Sequence, residues 1–346
     1  MVKYCVFHAT FGQGHAQAAQ AIADYLHTPA VDLLGFLPRI PARLLSQGYV
    51  WITEHAPLLW HTLFLASRPA PVVRLLQRLH CVWYRGALRF LLRQRPECLI
   101  TTHFFPVGLA AEAKKYLPHM RIIVVVTDLR VHPLWHHDKV DRYYVAHPQG
   151  REDLIRRGVR PDKISCGYVP VRAQFFTGCD AGQLRIRYGI DHRPCVLLVS
   201  SLSGRFPEVE KLITELKDQY NLFIIYGRNR RMCRKLQRFK SKGVRLFRFH
   251  SRIWELMTLA RIIVTKPGGL TLFEGMVKRA YFVFPEYIPG QEYENLQLIT
   301  DYGIAEYAPD VHSIIAAIRK FSGGPSEKYP LQVKDIRPEI RGAQRS

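Results

Sequence analysis

Short apolar runs alternate with amphipathic stretches along almost the whole chain, and this alternation constrains the fold more than any other feature of the sequence. The apolar runs are typical of buried strands: YCVFHAT, AVDLL, CLITTH, RIIVVVTD and RYYVAH in the first half, then CVLLVSS, LFIIYG, VRLFRF, RIIVTK and YFVFPE in the second. Helical segments are predicted between them, at 12–27, 107–116, 149–157, 206–219, 229–241, 268–278 and 290–302. Strands that alternate with helices in this way predict parallel sheets covered by helices on both faces.

The two series of strands meet near the segment GYVPVRAQFF, and a chain of 346 residues is long enough for two hydrophobic cores. The sequence therefore predicts an α/β protein with two doubly wound, Rossmann-like domains that face each other across a cleft. We expect the first domain over residues 1–170, the second over residues 171–322, and a basic tail over residues 323–346.

The chain is strongly basic, with 50 Lys and Arg against 28 Asp and Glu and a formal net charge of +22. Residues 38–95 hold nine Arg and one acid, and residues 228–252 hold eleven Lys and Arg and no acid. Such a field favours association with nucleic acid, anionic lipid or phosphorylated ligands. Nucleic acid is the least favoured, because the chain has no recognition motif such as a zinc finger. The seven cysteines are scattered, which indicates a reducing compartment and no structural zinc.

Residues 71–95 break the alternation and are predicted to form one basic amphipathic helix between Pro71 and Pro96. Its two faces are Arg74, Arg78, Arg85, Arg89 and Arg93 on one side, and Val72, Leu76, Leu79, Trp83, Phe90 and Leu91 on the other. The pattern is typical of a helix that lies on a membrane surface, and an ordinary surface helix packed on its domain is the alternative. No transmembrane helix is predicted, because charged residues and a proline interrupt the apolar stretch at 48–67.

The loop FGQGH, between the first strand and the first helix, begins like a dinucleotide-binding motif but does not complete it. Gly12 and Gly14 match the first two glycines of GxGxxG, whereas Gln17 occupies the third position. The loop still leads into a helix N-terminus, which favours an anion or a developing negative charge. His15 is placed to act there as a general base. The alternative is a histidine that only caps or packs the helix.

A second candidate site follows the apolar strand RIIVVVTD. Asp128 is expected at the carboxyl edge of the sheet, where open α/β sheets bind ligands. It would face the same cleft as His15 and orient that histidine or share the base role, and a turn-capping role is the alternative. His132 and Trp135 follow on the same loop. The histidines nearby lack the spacing of a metal motif, so no metal is predicted.

The segment TKPGGLTLFEG holds the third and most informative site. A strand ends at Lys266, and Gly268 and Gly269 open a helix whose N-terminus is suited to a phosphate group. Glu274, one turn further, is suited to accept two ribose hydroxyls of a nucleotide. Two more loops complete this side of the cleft: SSLSGR at 200–205, and PGQEYEN, which presents Gln291, Glu292 and Asn295.

These segments together resemble a known family. GQGHAQAAQAI, TTHFFPVG, VTDLRVHPLWHHDKVDRYYVA, LIRRGVRPDKISCGYVPV, TKPGGLTLFEG and PGQEYEN occur in the family's order and span about residues 5–305. The family is that of the lipid-directed glycosyltransferases, which includes plant monogalactosyldiacylglycerol synthase and bacterial processive diacylglycerol glucosyltransferase. The lipid II N-acetylglucosaminyltransferase of peptidoglycan synthesis is a more distant relative.

The resemblance implies a GT-B fold with the acceptor on the first domain and a UDP-sugar on the second, and metal-independent transfer with inversion. It implies catalytic roles for His15 and Asp128. On the donor side it implies Ser203, Gly204, Arg205, Lys266, Gly268, Gly269, Leu270, Thr271, Glu274, Gln291, Glu292 and Asn295. On the acceptor or membrane side the residues are Gly12, Gly14, His132, Trp135, Arg74, Arg78, Trp83, Arg85 and Arg89. One loop departs from the family, because Ser201 and Leu202 stand where glycines usually let the backbone approach the donor phosphates.

The resemblance also implies what the chain does. It predicts an enzyme that moves a hexose from UDP-glucose or UDP-galactose to diacylglycerol or a related lipid, without a cofactor. It predicts a cytoplasmic protein, peripheral at the inner face of an anionic membrane, with no nucleic-acid partner. Three alternatives stay open: a lipid II-type N-acetylglucosaminyltransferase, a nucleotide-sugar epimerase on the same fold, and a catalytically weak protein that binds UDP-sugar or lipid.

Overall fold

The computed structural model describes residues 3–199, 209–227, 234–241, 243–322 and 329–342. Its first half is built on a six-stranded parallel sheet in the order β2-β1-β3-β4-β5-β6. The strands are β1 (Tyr4–His8), β2 (Ala30–Asp32), β3 (Cys98–Thr101), β4 (Arg121–Val125), β5 (Arg142–Val145) and β6 (Ile164–Cys166). β1 and β3 are buried throughout, as expected of central strands with helices on both faces.

Seven helices cover this sheet or extend from it within the described residues: α1 (Gln13–Leu26), α2 (Arg39–His55), α3 (Pro57–Ala66), α4 (Ala70–Trp83), α5 (Arg85–Gln94), α6 (Phe105–Ala113) and α7 (Pro148–Ile155). The prediction of one helix over residues 71–95 is wrong, because α4 ends and α5 begins on either side of Tyr84. The Tyr84 side chain is buried and its backbone leaves the helical region. Burying this ring turns the chain, so the arginines of the segment are divided between two exposed helix faces.

The second half contains another six-stranded parallel sheet, in the order β10-β9-β8-β11-β12-β13. Its strands are β8 (Cys195–Val199), β9 (Asn221–Ile225), β10 (Val244–Phe247), β11 (Ala260–Val264), β12 (Tyr281–Phe284) and β13 (Ala305–Tyr307). The helices around it are α8 (Ala181–Tyr188), α9 (Val209–Leu216), α10 (Ile253–Leu259), α11 (Gly269–Val277), α12 (Gln291–Asp301) and α13 (Val311–Ser322). Each sheet therefore forms the centre of its own doubly wound layer structure.

The chain returns to its first half after the second sheet. A short strand, β14 (Lys334–Asp335), pairs in parallel with β7 (Tyr168–Val169), and α14 (Arg337–Gly342) follows it. Ile336 and Ile340 are fully buried in a cluster with residues of β1, α1 and β3. Part of the segment expected as a tail at 323–346 thus completes the core beside the first sheet.

Candidate active site

Three central strands of the first sheet end next to one another and supply the first half of the site. His15 lies in the first turn of α1, directly after β1, and Thr102 and Thr127 follow β3 and β4. Because parallel strands present their carboxyl ends at one edge, these three residues meet although they are far apart in sequence. The juxtaposition of His15 with the Asp128 segment, expected from the sequence, follows from this topology.

The imidazole of His15 is held by two threonines. Its Nδ1 lies 2.9 Å from the carbonyl oxygen of Thr102 and 2.8 Å from Oγ1 of Thr127. In return, the Thr102 hydroxyl donates a hydrogen bond to the His15 carbonyl at 2.9 Å. A carbonyl oxygen can only accept, so Nδ1 carries the proton and Nε2 carries the free electron pair. Burial lowers the pKa of His15 to about 4, which keeps the ring neutral and the Nε2 electron pair unprotonated at neutral pH.

Asp128, which follows Thr127 in the chain, is buried, and it forms no hydrogen bond with His15 among the described residues. Its Oδ2 accepts a hydrogen bond from Nε2 of Gln291 at 2.8 Å, across the cleft. Burial raises the pKa of Asp128 to about 7, against the effect of its hydrogen bonds to Asn295 and Gln291. Thr102 and Thr127 therefore orient His15, and Asp128 links the two halves of the site.

The first turn of α11 brings the second half of the site directly against the first. A Cβ atom at Gly269 would lie 1.8 Å from the carbonyl oxygen of Thr127, so only glycine fits there. A Cβ at Gly14 would lie 3.5 Å from Cβ of Leu270. The N-terminus of α11, whose first N–H groups have no partner within the helix, thus adjoins the turn that carries His15.

Glu274 is the buried carboxylate of this half. It lies in α11 with 5% of its surface exposed, and burial raises its pKa to about 7 although Arg172 acts in the opposite direction. No hydrogen bond to its carboxylate is found within the described part of the chain. A buried carboxylate with free acceptor oxygens is suited to a ligand that brings hydroxyl donors.

Three of the other predicted donor residues at this edge are paired with protein groups: Lys266, Glu292 and Asn295. Lys266 forms an ion pair with Glu292, whose other oxygen accepts the backbone N–H of Ile288 at 2.8 Å. Asn295 is fully buried, accepting from the Leu129 N–H and donating to the Pro267 carbonyl, both at 3.1 Å. Gly268 and Thr271 are half-buried and Leu270 is buried. Ser203, Gly204 and Arg205, and the departure at Ser201 and Leu202, lie outside the described residues.

More contacts hold the two halves together around this edge. Arg68 forms a salt bridge with Glu294 at 2.7 Å, and Nε2 of His147 lies 2.8 Å from the hydroxyl of Tyr302. Together with the Gln291–Asp128 hydrogen bond, these contacts join α12 and the segment after it to the loops of the first sheet. The described structure is therefore one in which the cleft edges touch.

The predicted acceptor residues lie in different environments. His132 and Trp135 are buried within the first domain, His132 beside Ser67 and Phe64, and Trp135 against Phe104. The remaining ones are exposed or half-buried: Gly12, Gly14, Arg74, Arg78, Trp83, Arg85 and Arg89. A groove of about 510 Å³ lies between the loop at 10–13 and α2. Trp51, which is 59% exposed, lines this groove.

The described residues contain neither a membrane-spanning helix nor a metal-binding cluster. No helix among them is long and apolar enough to cross a membrane. No group of three or more His, Cys, Asp or Glu side chains among them is arranged to hold a metal ion.

Two Rossmann-like domains with a site between the carboxyl edges of their sheets define the GT-B fold, and the fold prediction is confirmed. MurG from Acinetobacter baumannii superposes with a TM-score of 0.60 at 13% identity, covering 99% of this chain and all of that one. UDP-GlcNAc 2-epimerase from Methanocaldococcus jannaschii superposes with a TM-score of 0.58 at 13% identity, with complete coverage of both chains.

The sequence comparisons identify the more particular relatives. The model of the monogalactosyldiacylglycerol (MGDG) synthase family matches residues 15–171, from the proposed base to the end of the first domain. The processive diacylglycerol β-glucosyltransferase of Staphylococcus carnosus is 24% identical over 334 residues, which cover 92% of this chain and 84% of that protein. These matches confirm the resemblance to the lipid-directed glycosyltransferases that the motifs indicated.

Proposed function

We propose that this protein transfers a hexose from a UDP-hexose to a diacylglycerol-type lipid, with inversion at the anomeric carbon and without a metal. The observation that carries the proposal is the neutral, oriented His15 beside the N-terminus of α11. The relatives support the choice of substrates, since the curated relative is named for diacylglycerol and the matching family for its galactosylated product.

In the proposed reaction the lipid hydroxyl attacks the anomeric carbon of the donor sugar. The new carbon–oxygen bond forms as the bond to the UDP oxygen breaks, and the hydroxyl proton passes to Nε2 of His15. One displacement of this kind inverts the anomeric configuration. The departing diphosphate carries the developing negative charge, which the N–H groups at the start of α11 stabilise.

On the donor side, Glu274 would accept the ribose hydroxyls, and Gly268, Gly269 and Thr271 would contact the diphosphate. Gln291 and Glu292 would contact the sugar hydroxyls. Binding there requires the donor to compete with the Gln291–Asp128 hydrogen bond and the Lys266–Glu292 ion pair. We therefore expect donor binding to rearrange the contacts of α12 with the first domain.

On the acceptor side, α2, α3 and α4 present an exposed apolar surface. Its members include Leu44, Val50, Trp51, Leu58, Leu59, Leu63, Leu65, Leu75, Val82 and Trp83. The exposed arginines of α4 and α5 lie beside it in the chain, a combination suited to an anionic membrane. The groove lined by Trp51 leads from this surface to the loop before His15. The proposed location is accordingly peripheral, at the cytoplasmic face of the membrane.

The direct test is incubation with radiolabelled UDP-glucose or UDP-galactose and vesicles that contain diacylglycerol, followed by lipid chromatography. The expected product is a labelled glycolipid with one of the two donors. UDP-sugar binding without labelled lipid from either donor would refute transfer and favour a binding protein. Vesicles containing lipid II, supplied with labelled UDP-N-acetylglucosamine, separate the main proposal from the lipid II-type alternative.

A further inference from the structure

A second histidine stands beside the proposed base, and neither the motifs nor the proposed mechanism assign it a role. His103 follows β3 and is 2% exposed. Its ring centroid lies 4.5 Å from that of His15, with the two ring planes 71° apart. Phe11, Phe104 and Phe105 pack around it. His103 is thus a fixed polar group in an aromatic wall of the site.

The tautomer of His103 is opposite to that of His15. The backbone N–H of Phe105 donates to Nδ1 of His103 at 3.1 Å, so in the neutral ring the proton is on Nε2. Burial lowers the pKa of His103 well below its usual value, and the neighbouring rings of His15, His80 and His8 act in the same direction. The Thr101 side chain fixes the backbone on both sides of the ring, accepting from the His103 N–H and donating to its carbonyl.

Nε2–H of His103 has no hydrogen-bond partner among the described residues. A donor that the surrounding protein leaves free is available to a ligand or to water. The two adjoining rings therefore offer one nitrogen that accepts a proton, on His15, and one that donates a hydrogen bond, on His103. An acceptor molecule that fits this pair carries a hydroxyl and, a few bonds away, a second oxygen that only accepts.

We propose that His103 donates a hydrogen bond from Nε2 to the carbonyl oxygen of the ester adjacent to the reacting hydroxyl, and thereby selects acyl-linked glycerolipids. This inference rests on the proposed function, because it concerns the acceptor of that reaction. A diacylglycerol has this arrangement, with an ester on the carbon next to the one that bears the hydroxyl. An ether-linked glycerolipid keeps the hydroxyl and the chains but lacks the carbonyl.

The first experiment uses the unmodified protein and four short-chain glycerolipids in detergent micelles: the diester, the diether and the two mixed ester–ether forms. We expect kcat/KM to be about 3- to 10-fold higher when an ester is adjacent to the hydroxyl-bearing carbon, the value of one neutral hydrogen bond. The ester at the far carbon should have no effect. Equal kcat/KM for all four lipids would overturn the inference and leave the proposed function intact. Transfer to none of them would refute the proposed function.

The second experiment removes the donor. His103→Phe keeps an aromatic ring among its neighbours and should reduce the ester-to-ether ratio to about one. His80→Phe is the matched control, because His80 is also a buried histidine and its ring centroid lies 4.3 Å from that of Phe105. The His80→Phe variant should keep the native ester-to-ether ratio. A folded His103→Phe protein that keeps the native ratio, or that loses transfer to both lipids alike, would overturn the inference. If His103→Phe does not fold, the preference among the four lipids still decides the question.

Discussion

Replacing Gly269 with alanine is expected to separate the two halves of the site. The added Cβ would lie 1.8 Å from the carbonyl oxygen of Thr127 and 3.2 Å from Oδ1 of Asp128. Non-bonded heavy atoms pack at about 3.5 Å, so restoring a normal contact requires α11 and Thr127 to separate by about 1.7 Å. The obstacle at Thr127 is backbone, which cannot rotate away as a flexible side chain would.

The displacement falls between the proposed base and the helix that we propose contacts the diphosphate, because Thr127 also binds His15. A misplacement of about 1 Å costs on the order of 100-fold in rate. We therefore expect Gly269→Ala to lower kcat for hexose transfer about 100-fold. Overpacking should also lower the free energy of unfolding by about 1–3 kcal/mol. UDP affinity should change much less than kcat, since Glu274 and the rest of α11 move together.

The assay combines transfer kinetics with labelled UDP-hexose, titration calorimetry with UDP, and thermal unfolding by circular dichroism. Gly178→Ala is the control, because among the described residues no atom beyond the adjacent ones in the chain lies within 4 Å of the Cβ position at Gly178. It should keep native kcat and Tm. A Gly269→Ala protein with native kcat would refute the reasoning, since the close approach of α11 to Thr127 would then have no part in transfer.

Three further changes test separate parts of the proposal. His15→Ala should lower kcat by about 100- to 10,000-fold, the range for a general base, and should keep the native UDP affinity in calorimetry. Full transfer activity of this variant would show that His15 is not the base. Glu274→Gln should weaken UDP binding. The variant should also have a higher Tm than the unmodified protein, and this difference should be larger at pH 8 than at pH 5. The folded carboxyl has a pKa of about 7 against 4.5 in its usual state, so its ionisation destabilises the fold as pH rises through that interval; an unchanged Tm difference would contradict this. The double change Trp51→Ser and Leu58→Ser should reduce sedimentation of the protein with anionic vesicles. The control Tyr116→Ser, at another exposed aromatic residue, should not reduce it. If the double variant sediments like the unmodified protein, α2 and α3 do not bind the membrane.

The hydrophobic pattern predicts most of the described fold because parallel strands leave a strong signal. All ten apolar runs overlap a strand, and α1, α11 and α12 begin and end within one residue of their predicted bounds. The division of residues 71–95 at Tyr84 was not predictable from periodicity, since it depends on a cavity that receives one aromatic ring. The packing of Ile336 and Ile340 in the first core was missed for a related reason. A short helix is stabilised mainly by the surface on which it packs, and here that surface is formed by residues far away in the sequence.

The site was predictable in its titratable residues and not in the groups that orient them. His15 and Asp128 stand out because they are ionisable residues in the loop or first helical turn after an apolar strand, and Glu274 stands out because it lies one turn into such a helix. Thr102 and Thr127 were missed, since a threonine at the end of a strand is common and only the adjacency of β3 and β4 directs both to one ring. The strand ends TTH and VTD did carry a signal, a hydroxyl residue at the carboxyl edge of each central strand. The donor role predicted for Asn295 stays a prediction, and the structure adds that its amide accepts from the Leu129 N–H and donates to the Pro267 carbonyl.

The low pKa of His15 is compatible with the proposed binding of the arginine-rich surface to an anionic membrane. An anionic membrane with a surface potential near −30 mV concentrates protons and lowers the local pH by about half a unit. A histidine with an ordinary pKa would then be protonated to a substantial degree and unable to accept the hydroxyl proton. Burial lowers the pKa of His15 to about 4, so the ring would stay neutral at the membrane surface that we propose for this protein. Its weak basicity is no obstacle, because the lipid hydroxyl becomes strongly acidic as its oxygen bonds to the anomeric carbon. The arginines on α4 and α5 can therefore favour the anionic membrane without the base losing its free electron pair.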